Sequence, residues 1–137
     1  MENLIGNPST PFPLRARKIL SHEEMKLLTE EEIKDFLSQL KTGWKIVQIG
    51  EDPVKSSKAG ISALQKLFNW ASFVKAMEFV NKIAVVAEEA GHHPDISIHY
   101  NKVEIILWSH FVNGLSLNDF IVAAKIDSPS QIKSKGF

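Results

Sequence analysis

Apolar and polar residues alternate twice in the second half of the chain. Ile96, Ile98 and Tyr100 interleave with Ser97 and His99, and Val103, Ile105 and Leu107 interleave with Glu104, Ile106 and Trp108. This is the period of two that marks β-strands. Only Asn101 and Lys102 separate the two runs, and asparagine tolerates the positive φ of a tight hairpin turn. The hairpin so predicted pairs Tyr100 with Val103, His99 with Glu104, Ile98 with Ile105, Ile96 with Leu107, Pro94 with Ser109 and His93 with His110. Opposed residues lie about 4.5–5.5 Å apart at Cα, so His92, His93 and His110 are expected to gather at the hairpin's open end. Pro94 donates no ladder bond, and regular pairing is expected to fray there.

Helical patterns flank this hairpin. Thr29-Glu30-Glu31-Glu32 is a capping-box sequence whose acidic first turn suits the helix dipole, so a solvated helix start running to about Leu40 is expected. Gly43 ends it, Trp44 to Ile49 reads as a strand, and Glu51 to Lys58 as a Pro-containing loop. Ile61 to Phe68 suits either a helix or a strand. From Ala71 to about Ala90 two apolar stripes run side by side: Phe73, Met77, Val80, Ala84 and Ala87, then Ala76, Phe79, Ile83, Val86 and Ala90. A helix apolar over more than half its circumference is covered from two sides. Self-association through helix 71–90, or docking of a protein partner there, is the natural expectation, with cover by loops or the N-terminal extension as the alternative. A third helix follows Ser116 as N-cap, with Asp119 three residues on.

Length and composition change this picture little. At 137 residues, 44 % hydrophobic and 23 % charged, the chain suits one domain, placed at residues 25–127. Residues 1–24, with Pro8, Pro11 and Pro13, read as an extended or disordered N-terminal extension, and 128–137 as a frayed tail. Sixteen basic residues balance sixteen acidic ones, so no long-range field favours nucleic acid or an anionic membrane. The chain has no cysteine, which excludes disulfides, cysteine nucleophiles and most structural zinc sites. No apolar run approaches the ~20 residues of a membrane span. A soluble, cytoplasmic protein is expected, with Arg15, Arg17 and Lys18 leaving organelle targeting open.

Three readings attach to the histidine cluster around Gly91-His92-His93-Pro94-Asp95. Imidazole ligates zinc and iron, but neither cysteine nor an HExxH spacing accompanies it. Adjacent histidines near a turn are also commonly solvated or locally hydrogen-bonded. For a convergent cluster, acid–base chemistry without a metal leads, because imidazole exchanges protons near neutrality. Asp119 has an ordinary capping role available, and Glu88 needs no special reason to end a helix. His99 reads as a cross-strand partner of Glu104, and His22 as an exposed residue of the extension.

From Glu88 the chain reads Glu-x-x-x-His-His-Pro, then Tyr100, His110 and Asp119, an order and spacing that resemble the signature of pterin-4a-carbinolamine dehydratases. Tyr100-Asn101-Lys102-Val103, Ser109-His110 before Asn113-Gly114-Leu115-Ser116, Gly43-Trp44 and Phe68-Asn69-Trp70-Ala71-Ser72-Phe73 extend the likeness over roughly residues 27–127. Trp108 and Phe111 depart from it, at a position that shapes the pocket mouth. The resemblance implies a strand at 61–68, and with it an α+β fold: a four-stranded antiparallel sheet with three helices packed on one face. It implies dehydration of a 4a-hydroxytetrahydropterin to a quinonoid dihydropterin, in tetrahydrobiopterin recycling. By the resemblance, neither proton transfer needs a metal or redox cofactor. His92 and His110 would be the acid–base pair, His93 would orient the pterin, and Glu88, Pro94 and Asp119 would complete the substrate site, with Gly91 and Pro94 fixing the backbone. It also implies a homodimer or homotetramer. Relatives of the fold serve instead as a transcription-factor dimerisation cofactor or a Rubisco assembly factor, so a non-catalytic or bifunctional binding module is the alternative.

Overall fold

The computed structural model describes residues 13–50 and 60–128. The loop expected at 51–58, the first twelve residues and the last nine lie outside the described residues. In chain order the elements are a short 3-10 turn (Leu14–Ala16), α1 (Glu30–Ser38), β1 (Lys45–Ile49), β2 (Ile61–Asn69), α2 (Phe73–Ala90), β3 (Asp95–His99), β4 (Lys102–Leu107) and α3 (Leu117–Ile126). The strands form one antiparallel sheet in the order β1-β2-β4-β3. Leu64, Val103, Ile105 and Leu107 from the sheet share a core with Phe36 of α1, Phe79 and Ile83 of α2, and Phe120 and Ile121 of α3. The chain therefore has the expected α+β architecture. The segment whose local pattern suited either state is a strand because β1 and β4 pair with it on both sides. Tertiary pairing decides where intrinsic preference does not.

Helix ends follow their sequence signals. Thr29 Oγ1 accepts from Glu32 N at 3.2 Å and Glu32 Oε1 accepts from Thr29 N at 3.0 Å. The Thr29 backbone N–H, helped by Lys26, holds the Glu32 carboxyl below its ordinary range. Ser72 caps α2, whose buried residues are Ala76, Phe79, Ile83, Val85, Val86 and Ala87. One predicted stripe thus faces the core, whereas at the start of the other Phe73 is 48 % exposed and the adjacent Val74 64 %. At the end of α3, Asp127 accepts from Trp44 Nε1 and Lys66 Nζ, both at 2.8 Å. This ties β1, β2 and α3 together at the sheet's far end.

The hairpin register differs from the one read off the sequence. The turn is Tyr100-Asn101 rather than Asn101-Lys102, so Ile98 pairs with Val103, Ile96 with Ile105 and Asp95 with Ile106. His99 faces Lys102 and Ser97 faces Glu104, and Glu104 accepts from Gln65 Nε2 at 2.8 Å. The expected His99–Glu104, Pro94–Ser109 and His93–His110 pairings therefore do not form. Asn101 sets the difference: its O accepts from Trp70 N and its Nδ2 donates to Trp70 O, both at 2.8 Å. That clamp holds Asn101 in the turn at the end of β2, and Tyr100 takes the positive φ of 56°. A slip of two residues keeps every side chain on its expected face, so the alternation read from the sequence survives the shifted ladder.

Of the segment 1–24, the described part is in contact with α3. Leu14, Arg17 and Leu20 are buried. Asn118 clamps Leu20 with both amide atoms, accepting from its N at 2.8 Å and donating to its O at 3.1 Å. Arg17 lies over the Phe36 ring at 5.7 Å, and burial lowers its pKa against the opposing pull of Asp35. Among the described residues no helix is long and apolar enough to cross a membrane.

Candidate active site

Two chain reversals carry the candidate residues. The first ends α2: Gly91, at φ 63°, lets its own N–H return to Glu88 O at 3.3 Å and that of His92 to Ala87 O at 3.2 Å. This is a Schellman closure, and its left-handed residue favours glycine. His92 thus leaves the helix in a defined direction. The second reversal follows β4, where Ser109 N donates to Gly114 O at 2.7 Å and Gly114 N to Ser109 O at 3.3 Å. His110 is the first residue inside that loop.

Asp119 joins the two reversals. It is fully buried in the first turn of α3, where its Oδ2 accepts from Ser116 N at 2.9 Å as the capping box requires. The same oxygen accepts from Ser109 Oγ at 2.7 Å, and Oδ1 is bonded to His92 Nε2 at 2.6 Å. Ser109 has one hydroxyl proton and spends it on Asp119, so the 2.7 Å bond between Ser109 Oγ and Ser116 Oγ is donated by Ser116. A relay therefore runs from Ser116 through Ser109 to Asp119, with His92 on the other oxygen. In a buried setting each such bond polarises the next.

The predicted residues fall into distinct environments. The His92 side chain is 13 % exposed. His93 is bonded through Nε2 to Glu88 Oε1 at 2.8 Å, and both side chains are largely in solvent, where such a pair contributes little to stability. Pro94 is half-buried. His110 is exposed, and its ring lies flat on Trp108, with centroids 3.8 Å apart and planes at 13°. His22 is exposed, as expected, but it stacks on Phe111 at 4.5 Å and 15°. Among the described residues no three His, Asp or Glu side chains converge as a metal ion would need.

Trp108 and Phe111, expected at the pocket mouth, do lie beside His110 and carry the two stacks, whereas sequence reasoning missed Ser109 and His22 as contributors to this region. Continuing the observed register past its last pair brings Ser109 level with His92, so a correctly placed turn would have pointed to Ser109. For His22 no sequence signal exists, since its contact spans the chain.

Residues 26–129 match the family described as Pterin 4 alpha carbinolamine dehydratase. A protein of Nitrosococcus oceani, provisionally named a pterin-4-alpha-carbinolamine dehydratase, is 40 % identical over 104 residues, 76 % of this chain and 83 % of that one. A protein of Rickettsia canadensis with the same provisional name is 38 % identical over 101 residues, 74 % of this chain and 82 % of that one. The crystal structure of a transcriptional coactivator/pterin dehydratase from Brucella melitensis superposes with a TM-score of 0.64 at 30 % identity, covering 75 % of this chain and 97 % of that one.

Proposed function

The chain belongs to the pterin-4-alpha-carbinolamine dehydratase family, and from that premise we propose that it eliminates water from a 4a-hydroxytetrahydropterin. In this reaction the C4a–O bond breaks with its electron pair on oxygen, which takes a proton and departs as water. A ring N–H or the amino group gives up a proton, and its electrons form the C=N of the quinonoid dihydropterin. One proton is delivered and one removed, and no oxidation state changes. Two imidazoles suffice for both transfers.

The observation that carries this reading is the buried Asp119 carboxylate, which holds His92 with one oxygen and Ser109, the neighbour of His110, with the other. A carboxylate only accepts, so the proton on the bonded nitrogen of His92 is Nε2–H, and Nδ1 is left as the atom that exchanges a proton with substrate. His110 serves as the opposite member of the pair. His93, steadied by Glu88, orients the pterin beside Pro94. Asp119 acts through His92. Acid and base are assigned to the pair as a unit, since either imidazole can give or take the proton.

The deciding experiment is a stopped-flow assay of 4a-hydroxytetrahydropterin dehydration with wild type and the His92→Ala/His110→Ala variant. Acceleration by wild type that the variant loses supports the reading, and a folded wild type that does not accelerate the reaction refutes it. Partner binding through α2 is a second role, favoured by exposed Phe73 and Val74. The nearest chemistry on offer is a second copy of this chain, giving a homodimer or homotetramer. Light scattering of wild type beside Val74→Glu tests it, and two identical monomer masses would end it.

A further inference from the structure

The segment from Leu20 to Leu28 runs along the loop that carries His110, and its first half precedes the family-matched residues 26–129. Both of its ends are fixed beside the site. Leu20 is clamped by the side chain of Asn118, the neighbour of Asp119. Leu28 N donates to Leu115 O at 2.9 Å, and Leu27 approaches Gly114 so closely that a Cβ there would lie 2.6 Å from Leu27 Cδ1. Between these anchors a small turn is closed by Ser21 N donating to Glu24 Oε1 at 2.9 Å, by Glu24 N shared between Ser21 O at 3.1 Å and Ser21 Oγ at 3.3 Å, and by Met25 N donating to Ser21 O at 3.0 Å. His22 sits inside that turn, which aims its ring at Phe111.

The Ser109–Gly114 bridge closes the base of the loop it meets and the His110 ring rests on Trp108, but the tip of that loop is held only weakly. Val112 N and Asn113 N donate back to Ser109 O and His110 O at 3.2 and 3.3 Å, Asn113 takes a φ of 52°, and Phe111 is 59 % exposed. An exposed turn closed by long bonds opens readily. A stacked aromatic pair shifts such an equilibrium by about two- to tenfold.

We infer that His22 is a positioning residue: through Phe111 it clamps the 110–113 loop, and so fixes where His110 presents its imidazole. The link to catalysis rests on the dehydratase reading, whereas the clamp itself does not. Leu27 and Leu28 meet the base of the loop at Gly114 and Leu115, whereas Phe111 is the ring through which the strap reaches its tip, so removing either ring frees the tip.

Amide hydrogen exchange at Val112 and Asn113, measured beside dehydration kinetics, tests this in wild type, His22→Ala, His22→Phe, Phe111→Ala and the His22→Ala/Phe111→Ala pair. His22→Ala is expected to speed exchange and to lower kcat by about two- to tenfold, with the chain still folded and the urea midpoint lowered by no more than the loss of the stack itself. His22→Phe, which keeps a stacking ring, restores both readouts, and the double variant is no worse than Phe111→Ala. Unchanged exchange in His22→Ala overturns the clamp. Faster exchange with unchanged kcat in an active wild type overturns its tie to His110. An inactive wild type refutes the dehydratase reading instead, and exchange alone then decides the clamp.

Discussion

Replacing Asp119 separates the structural and chemical duties of one carboxylate. Asp119→Ala strands the Ser116 N–H, the Ser109 hydroxyl and the His92 Nε2–H together. Each buried donor left unpaired costs about 1–3 kcal/mol. Because His92 retains some exposure and the loop can relax, the expected loss is about 3–5 kcal/mol, a large share of a typical domain's stability. Asp119→Asn behaves differently. Its carbonyl oxygen still accepts from Ser116 N and Ser109 Oγ, so the fold loses about 1–2 kcal/mol. Its NH2 now faces His92 Nε2, however, and that nitrogen must become the acceptor. The imidazole proton moves to Nδ1, the atom proposed to serve the substrate, and dehydration is expected to fall at least about tenfold. Urea unfolding followed by tryptophan fluorescence, nitrogen NMR of the His92 tautomer and stopped-flow kinetics read the three effects separately. The reasoning fails if Asp119→Ala unfolds within about 1 kcal/mol of wild type, or if Asp119→Asn keeps the wild-type rate with the tautomer changed.

Three further outcomes are expected. Asp127→Ala removes the partner of a largely buried Lys66 ammonium and of Trp44 Nε1, and should cost about 3 kcal/mol in urea unfolding; less than about 1 kcal/mol would mean the network is solvated. Gly91→Ala places a side chain at φ 63° and should cost about 1–2 kcal/mol, with dehydration reduced because His92 leaves the helix from that turn; an unchanged rate would count against this positioning. The Glu32 carboxyl is held below its ordinary value of 4.5 in the folded chain, so its contribution is present above that pH and is lost as pH falls through the lowered value. Glu32→Ala should therefore be less stable than wild type by about 0.3–1.5 kcal/mol at neutral pH, with the gap closing in acid; a gap that persists there would assign the loss to something other than the carboxylate.

How far the sequence can be read depends on whether the signal is local. The capping boxes at Thr29 and Ser116 involve neighbours in the chain, and both form as read. The hairpin's two faces were legible because a two-residue slip preserves them, but its register was not. The register is set by Asn101 bonding to Trp70, whose place beside the turn exists only once β2 and β4 have paired. For the same reason Asp119 was legible as a cap and ambiguous as a site residue: its second oxygen meets His92 only in the folded chain.

The residues by themselves determined the elements other than β2, the alternating faces of the hairpin and the set of histidines, since these follow from periodicity, capping chemistry and spacing along the backbone. The tertiary structure alone decided the register, the strand state and central place of β2, the packing of residues 14–20 against α3 and the stack of His22 on Phe111. These depend on contacts between distant segments, whose geometry is fixed by pairing and close packing and leaves no periodic trace in the sequence.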